Sequence, residues 1–417
     1  MKKKTKVIVF ILIISIVFLF TLFLLFNKND SSLKDNSIND EIINQNQPES
    51  KPESEPTIED KVNEIMSKMT IEEKIGQMLI IYDTHENVDD ELKQFINDIK
   101  PGGFIINQSN ITTFAKTKKY IEDLKINSEI PLIISIDQEG GKVQRLQNLE
   151  DKKATYVPSM LDLGKTNDLN LAYEVGKVLA EDMRTLGINV VYAPVCDVFS
   201  NPYNEVIGNR SFGSDPNLVA NMCVSLGKGL EDNGIIATYK HFPGHGDTTT
   251  DSHTSLPIID KTYEELLNNE LIPFKNAIEN DAKIIMIGHI AFPNLTNNDT
   301  PSSLSKEIVT DLLKNKLGYD GLVITDALNM GALTNNYSNE EIYVKAVQAG
   351  VDILLMPNDA KGAIDTIKKN IFVERIDESV KKILLFKYTY LKDNELDESY
   401  LNSKEHQEII NRIPIEE

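Results

Sequence analysis

The chain has 417 residues, 41% of them hydrophobic and 26% charged, a globular composition with room for one large domain or two small ones. Its 64 acidic side chains outnumber 43 basic ones and leave a net charge of −21, which argues by repulsion against nucleic acid or an anionic lipid surface as a partner. The 2 cysteines, Cys196 and Cys223, are too few for a disulfide framework. Both sit in apolar stretches and are expected as buried thiols, although a single bridge is compatible with the count.

The N-terminal residues 1–6 are basic, and an apolar run from Val7 to Phe26 follows, interrupted only by Ser15 and Thr21. Twenty residues at about 1.5 Å rise per residue match a hydrocarbon core of about 30 Å. The lysines then stay cytoplasmic and the rest of the chain lies outside. Phe26 runs directly into Asn27 and Lys28 with no small-residue cleavage pattern, so the run reads as an uncleaved, single-pass membrane anchor. Secretion after signal cleavage is the alternative. Residues 27–56 are rich in Asn, Asp, Ser, Glu, Pro and Gln, and read as a disordered linker with a mean reach of about 30 Å.

From residue 57 the pattern turns regular, and the folded domain is expected over 57–395, with 396–417 as a tail. Thr70-Ile-Glu-Glu73 carries a capping-box signature for a short helix. Apolar strand candidates follow at Met78–Tyr82, Gly103–Asn107, Leu132–Asp137, Val190–Val198, Ile235–His241, Ile284–His289, Leu322–Asp326 and Ile353–Met356. Helical periods separate them, among them Leu169–Thr185, Leu218–Glu231, Tyr263–Ile278, Lys306–Leu317 and Asn339–Ala349. Strands alternating with helices over about 340 residues predict an α/β fold of the (β/α)8 TIM-barrel type in a single catalytic domain. An open doubly wound sheet is the alternative, weakened because no Gly-x-Gly-x-x-Gly follows the first strand.

Such barrels build their active sites at the C-terminal ends of the strands. Here those ends carry Asp137, Asp197, Lys240 with His241, His289 and Asp326. The densest stretch is Lys240-His-Phe-Pro-Gly-His-Gly-Asp-Thr-Thr-Thr-Asp-Ser-His253, which holds three of the 6 histidines. Pro243, Gly244 and Gly246 make it a loop. Asp251 and His253 are two apart, close enough for the carboxylate to hold the imidazole tautomer and form a proton shuttle. A zinc site from His241, His245, Asp247, Asp251 and His253 is disfavoured, because His-x3-His needs a helix that Pro243 and Gly244 prevent. A solvated loop without chemistry is disfavoured by its place directly after a strand.

This stretch is similar to the signature of bacterial β-N-acetylglucosaminidases of glycoside hydrolase family 3. Four other blocks agree in order: Ile136-Asp-Gln-Glu-Gly-Gly-Lys-Val-Gln-Arg145, Ala193-Pro-Val-Cys-Asp197, Asn209-Arg-Ser-Phe-Gly213 and Val323-Ile-Thr-Asp-Ala-Leu-Asn-Met330. The resemblance spans about residues 60–390. It implies a retaining exo-glycosidase with Asp326 as nucleophile, His253 as acid/base and Asp251 orienting it. It implies sugar-binding roles for Asp137, Arg145, Arg210, Lys240 and His241, with His289 and Asp197 as weaker candidates. His245 and Asp247 read as shaping the loop through backbone hydrogen bonds. With Gly and Thr but no stiff anchor, the loop is expected to be mobile and to close on substrate. The second α/β domain that some relatives carry is expected to be absent.

The expected substrates are terminal N-acetylglucosaminides, including muropeptide fragments, given the external anchor. The expected state is a monomer without metal or organic cofactor. Two other readings stand beside hydrolysis: a phosphorylase using the same residues with phosphate in place of water, and a non-catalytic protein binding cell-wall glycan.

Overall fold

A computed structural model describes residues 56–249, 251–392 and 395–415. The apolar run Val7–Phe26 and nearly all of the linker fall outside the described residues. Among the described residues, no helix is long and apolar enough to cross a membrane.

Eight parallel strands form one sheet: β1 (Leu79–Tyr82), β2 (Gly103–Ile106), β3 (Ile133–Ile136), β4 (Val190–Val191), β5 (Ile236–Phe242), β6 (Ile284–Ile287), β7 (Leu322–Thr325) and β8 (Leu354–Leu355). Each pairs with its sequence neighbour, and β8 pairs with β1. Between β7 and β8 the parallel bridge Ile324–Ile353 and two backbone bonds complete the ring: Thr325 N–H donates to Ile353 O (3.1 Å) and Ile353 N–H to Val323 O (3.0 Å). The strands are almost wholly buried, as parallel strands covered on both faces by their crossover helices must be. That explains why they read in sequence as continuous Ile, Leu and Val runs. The expected (β/α)8 barrel is the observed architecture.

Three expected elements differ for identifiable reasons. The run Val190–Val198 is regular only over Val190–Val191, because Pro194 removes a ladder donor; the chain rejoins β5 at a single Val195–Lys240 bridge. The helix expected over Tyr263–Ile278 is two helices, Tyr263–Leu267 and Leu271–Glu279. Pro273, in the first turn of the second, cannot donate back across the break, and the buried Glu270 side chain is held there by Lys261. The Lys306–Leu317 helix is wound as a π-helix over Glu307–Lys316, with Leu317 N–H reaching back five residues to Leu312 O (3.0 Å).

The Thr70 capping box is present, and both cysteines are buried and free. The C-terminal segment does not trail away. Its helix Lys404–Ile410 buries Ile409 and Ile410, with Ile413 just beyond, and His406 sits between Glu181 (2.8 Å) and Asp182 (3.2 Å) of the Leu169–Arg184 helix. The spacing of those three isoleucines gives the short helix an apolar face to dock.

Candidate active site

The C-terminal end of β5 carries an ammonium into a place where it cannot stay unpaired. Lys240 is only 3% exposed, and its Nζ meets Glu139 Oε1 at 2.7 Å and Asp137 Oδ1 at 3.0 Å. Burial pulls the lysine pKa down, but the Asp137 and Glu139 charges more than offset this and hold it above the usual range. Glu139 is buried too. Arg210 grips it with two parallel bonds, Nε to Oε2 and Nη2 to Oε1, both 2.7 Å. Burial pushes the Glu139 pKa up, yet Arg210 and Lys240 outweigh it and keep the carboxyl well below the usual carboxylate range. Arg145 stands further out, with Nη2 3.8 Å from Asp137 Oδ2 and a buried Nε that lacks a protein acceptor. These five side chains form a pre-charged wall, with Asp137 as acceptor and Lys240 and Arg145 as donors.

Asp326 follows β7 directly. Its Oδ1 accepts the Ala327 N–H at 2.7 Å, so one carboxylate oxygen is oriented by the backbone. Burial raises its pKa, but His241, His289 and Lys240 outweigh this, and the group is held below the ordinary aspartate value. It is therefore ionised at neutral pH. Behind it, His289 donates from Nε2 to Ala327 O (3.0 Å), while its Nδ1 takes the Ser303 hydroxyl (2.8 Å). Burial lowers the His289 pKa despite the nearby Asp326 charge, and both of its ring nitrogens are occupied.

His241 is fixed from below. Its Nδ1 donates to Asp197 Oδ2 (2.7 Å), and Asp197 Oδ1 also accepts the His245 N–H (2.6 Å). The Lys240–His241 and Phe242–Pro243 peptides are cis. Beyond them, Gly246 lets the loop pass against the β4 extension, since a Cβ there would lie 1.7 Å from Val198 O. The buried His245 side chain spans the loop, with Nδ1 to the Thr248 hydroxyl (2.9 Å) and Nε2 to the Ser252 hydroxyl (3.0 Å). The sequence reading gave His245 backbone contacts; its ring does more of the holding. Asp247 pairs with Lys261 at 2.9 Å.

At the far end of the loop, His253 Nδ1 donates to Asp251 Oδ1 at 2.7 Å, and the His253 N–H reaches the same oxygen at 2.9 Å. Burial raises the Asp251 pKa, but the His253 backbone and ring outweigh it and hold it low. The His253 side chain is 64% exposed. The expectation of a loop without an anchor is corrected here. Gly331 N–H donates to His253 O (3.0 Å), Ala332 N–H to Ser252 O (3.1 Å) and Asn335 Nδ2 to Thr254 O (2.8 Å). Gly331 is what permits this docking, because a Cβ there would lie 2.7 Å from His253 O. The dyad is thus tied to the segment that follows Asp326.

One cavity of about 880 Å³ is lined by Asp137, Arg145, Arg210, Lys240, His241, Asp251, His253 and Asp326. The three residues read from sequence as catalytic and the five read as sugar-binding therefore meet. Asp197 and His289 do not line it and act from behind, through His241 and Ala327. Glu139 also lines it, and sequence reasoning passed it over. The signal was there: in an extended segment Asp137 and Glu139 point to one side, and Gly140-Gly141 beyond offers nothing to pair a carboxylate. Among the described residues, no group of three or more His, Cys, Asp or Glu is placed to hold a metal ion.

The model of the Glycosyl hydrolase family 3 N terminal domain matches residues 70–386. β-Hexosaminidase A of Pseudoalteromonas piscicida is 35% identical over 287 residues, 64% of this chain and 47% of that protein, so the chain spans about half the length of this relative. A solved glycoside hydrolase family 3 β-N-acetylglucosaminidase from Paenibacillus sp. str. FPU-7 superposes with a TM-score of 0.77 at 36% identity, covering 83% of this chain and 68% of that one. A structure of β-glucoside phosphorylase BglX bound to 2FGlc superposes with a TM-score of 0.78 at 26% identity, covering 85% and 66%.

Proposed function

The chain belongs to glycosyl hydrolase family 3, and from that premise we propose that it is a retaining exo-β-N-acetylglucosaminidase. The observation that carries this reading is the pairing of an ionised Asp326 with an Asp251–His253 dyad across one polar cavity. Retaining hydrolysis needs a nucleophile on one face of the sugar and an acid/base on the other.

In the first step Asp326 attacks the anomeric carbon as the glycosidic C–O bond breaks, and His253 Nε2–H gives its proton to the departing oxygen. Asp251 holds Nδ1 and stabilises the imidazolium that the acid role requires. In the second step water attacks the glycosyl-enzyme ester, the neutral imidazole takes its proton, and Asp326 leaves as carboxylate. The wall of Asp137, Lys240 and Arg145 meets the hydroxyls of the bound sugar, Asp137 accepting and the two cations donating. Glu139 keeps the neighbouring cations Lys240 and Arg210 from repelling each other.

Similarity to proteins named β-hexosaminidase and β-N-acetylglucosaminidase supports N-acetylglucosamine as the sugar. The Val7–Phe26 run supports a membrane-anchored enzyme facing outwards, and hence cell-wall glycan fragments as substrate. The protein free in the medium, beginning near residue 27, would replace anchoring with secretion.

Phosphorolysis is the second reading, favoured by the likeness to a β-glucoside phosphorylase. A histidine acid/base repels phosphate less than a carboxylate would. Assay on an aryl N-acetyl-β-glucosaminide with and without phosphate decides: free N-acetylglucosamine in both supports hydrolysis, and a sugar 1-phosphate formed only with phosphate supports the alternative. No turnover in either condition would contradict both.

A further inference from the structure

The cavity mouth carries an aromatic side chain that the mechanism above does not use. Tyr203 lines the cavity and is 80% exposed, more than any other tyrosine among the described residues. Its backbone is held firmly. Tyr203 N–H donates to Asn201 Oδ1 (3.0 Å), and Asn204 Nδ2 donates to His245 O (2.7 Å) and the Thr248 hydroxyl (3.2 Å). Asn201 Nδ2 reaches Asp247 O (3.3 Å) and Thr248 O (3.4 Å). The segment bearing Tyr203 is thus braced on the same loop that ends in Asp251 and His253. A large aromatic face exposed to water at the edge of a polar cavity is ready to be covered by a ligand.

Lys142 lines the same cavity and reaches the same segment. Its Nζ donates to Glu205 O at 2.9 Å, which leaves two of its three N–H groups for a ligand. Burial lowers the Lys142 pKa and Arg210 adds to this, while Glu139, Asp251 and Glu205 act against them. Lys142 lines the same cavity as Asp137, Glu139, Asp251 and His253, so its ammonium opens on the space shared by the charged wall and the dyad. The leaving group departs on the side of the acid, and the segment bearing Tyr203 is braced on the loop that carries that acid.

Resting on the glycosidase reading, we propose that Tyr203 and Lys142 form the subsite for the leaving group, and that it takes a pyranose ring. The C–H face of that sugar lies on the Tyr203 ring, and one of its oxygens accepts from Lys142 Nζ. The enzyme then selects glycans over glycosides with small alkyl leaving groups.

The test compares kcat/KM on the β-linked disaccharide of N-acetylglucosamine with kcat/KM on its trifluoroethyl β-glycoside, whose leaving group has no ring. Tyr203→Ala should lose about tenfold on the disaccharide, the scale of one aromatic contact, and stay within about twofold on the trifluoroethyl glycoside. Tyr203→Phe should keep the wild-type ratio, and Lys142→Met should lose severalfold on the disaccharide alone. An unchanged ratio in Tyr203→Ala, whether through equal loss on both substrates or no loss on either, would overturn the subsite while leaving the glycosidase reading intact. Wild-type protein inert towards both substrates would remove the glycosidase reading and the subsite with it.

Discussion

The two faces of the cavity are built in opposite ways. The wall around Lys240 is buried, with its cations and carboxylates locked on one another: Lys240 is 3% exposed and Glu139 1%. The His253 dyad is mostly in solvent, with its imidazole 64% exposed and one carboxylate partner. Binding a sugar's hydroxyls calls for donors and acceptors fixed before substrate arrives, and burial with paired charges supplies that. Moving a proton twice per cycle calls for a group that changes charge cheaply, which a deeply buried ion pair cannot do. Asp326, the proposed nucleophile, belongs to the first class by position: it must stay ionised, and His241, His289 and Lys240 together outweigh its burial.

Loss of the proposed nucleophile should produce the largest effect. Asp326→Asn should reduce turnover of any aryl glycoside by about 10⁴–10⁶ with an unchanged melting temperature, measured by initial rates and thermal unfolding. More than a few per cent of residual activity would take Asp326 out of the mechanism. The dyad should be next, and selective. His253→Ala should slow cleavage of natural β-linked substrates by about 10²–10⁴, while a dinitrophenyl glycoside still forms the glycosyl-enzyme in a burst. Asp251→Ala should show a weaker version, with the alkaline limb of the kcat/KM profile on natural substrates moved to lower pH.

Breaking the wall should cost both folding and binding. Glu139→Gln leaves Lys240 and Arg210 facing each other without their shared carboxylate. Stability should fall by about 3–5 kcal/mol in denaturant unfolding, and KM should rise more than kcat falls. A stable variant with wild-type KM would show that the wall is not organised by Glu139. The smallest effect is on the loop's acid stability. Burial holds His245 down at about 4, against the pull of Asp197. An unfolded chain protonates a histidine near about 6.5, so between these values it binds a proton that the folded chain refuses. Stability should therefore fall as pH drops from about 6.5 towards 4, and His245→Gln should flatten that slope. An unchanged slope would place the acid sensitivity elsewhere.

The sequence made the charged ends of the strands legible because parallel strands are apolar throughout, so Asp326 and Lys240-His241 stand out against Ile, Leu and Val. The Asp251–His253 pairing was legible because it is local: two residues apart, carboxylate and imidazole can hardly miss each other. Glu139 was legible only in its spacing from Asp137, because its meaning depends on Arg210 and Lys240, 71 and 101 positions further on. The loop's anchorage escaped for the same reason. It rests on Gly331 and Asn335, which look unremarkable until β7 brings them beside His253. The break before Leu271 was visible in principle, since Pro273 stood inside the expected helix.

The division of labour between the two faces is tested most directly by rescue of His253→Ala with azide, a nucleophile that needs no base. With a dinitrophenyl N-acetyl-β-glucosaminide, first attack by Asp326 needs no proton, and only the second step lacks its base. Azide should restore turnover and give a glycosyl azide of β configuration, read by NMR, because two inversions at the anomeric carbon return the starting stereochemistry. No rescue, with equal losses on good and poor leaving groups, would contradict the account and reduce His253 to a binding residue. An α-configured azide would contradict it too, because it would mean that Asp326 forms no covalent intermediate.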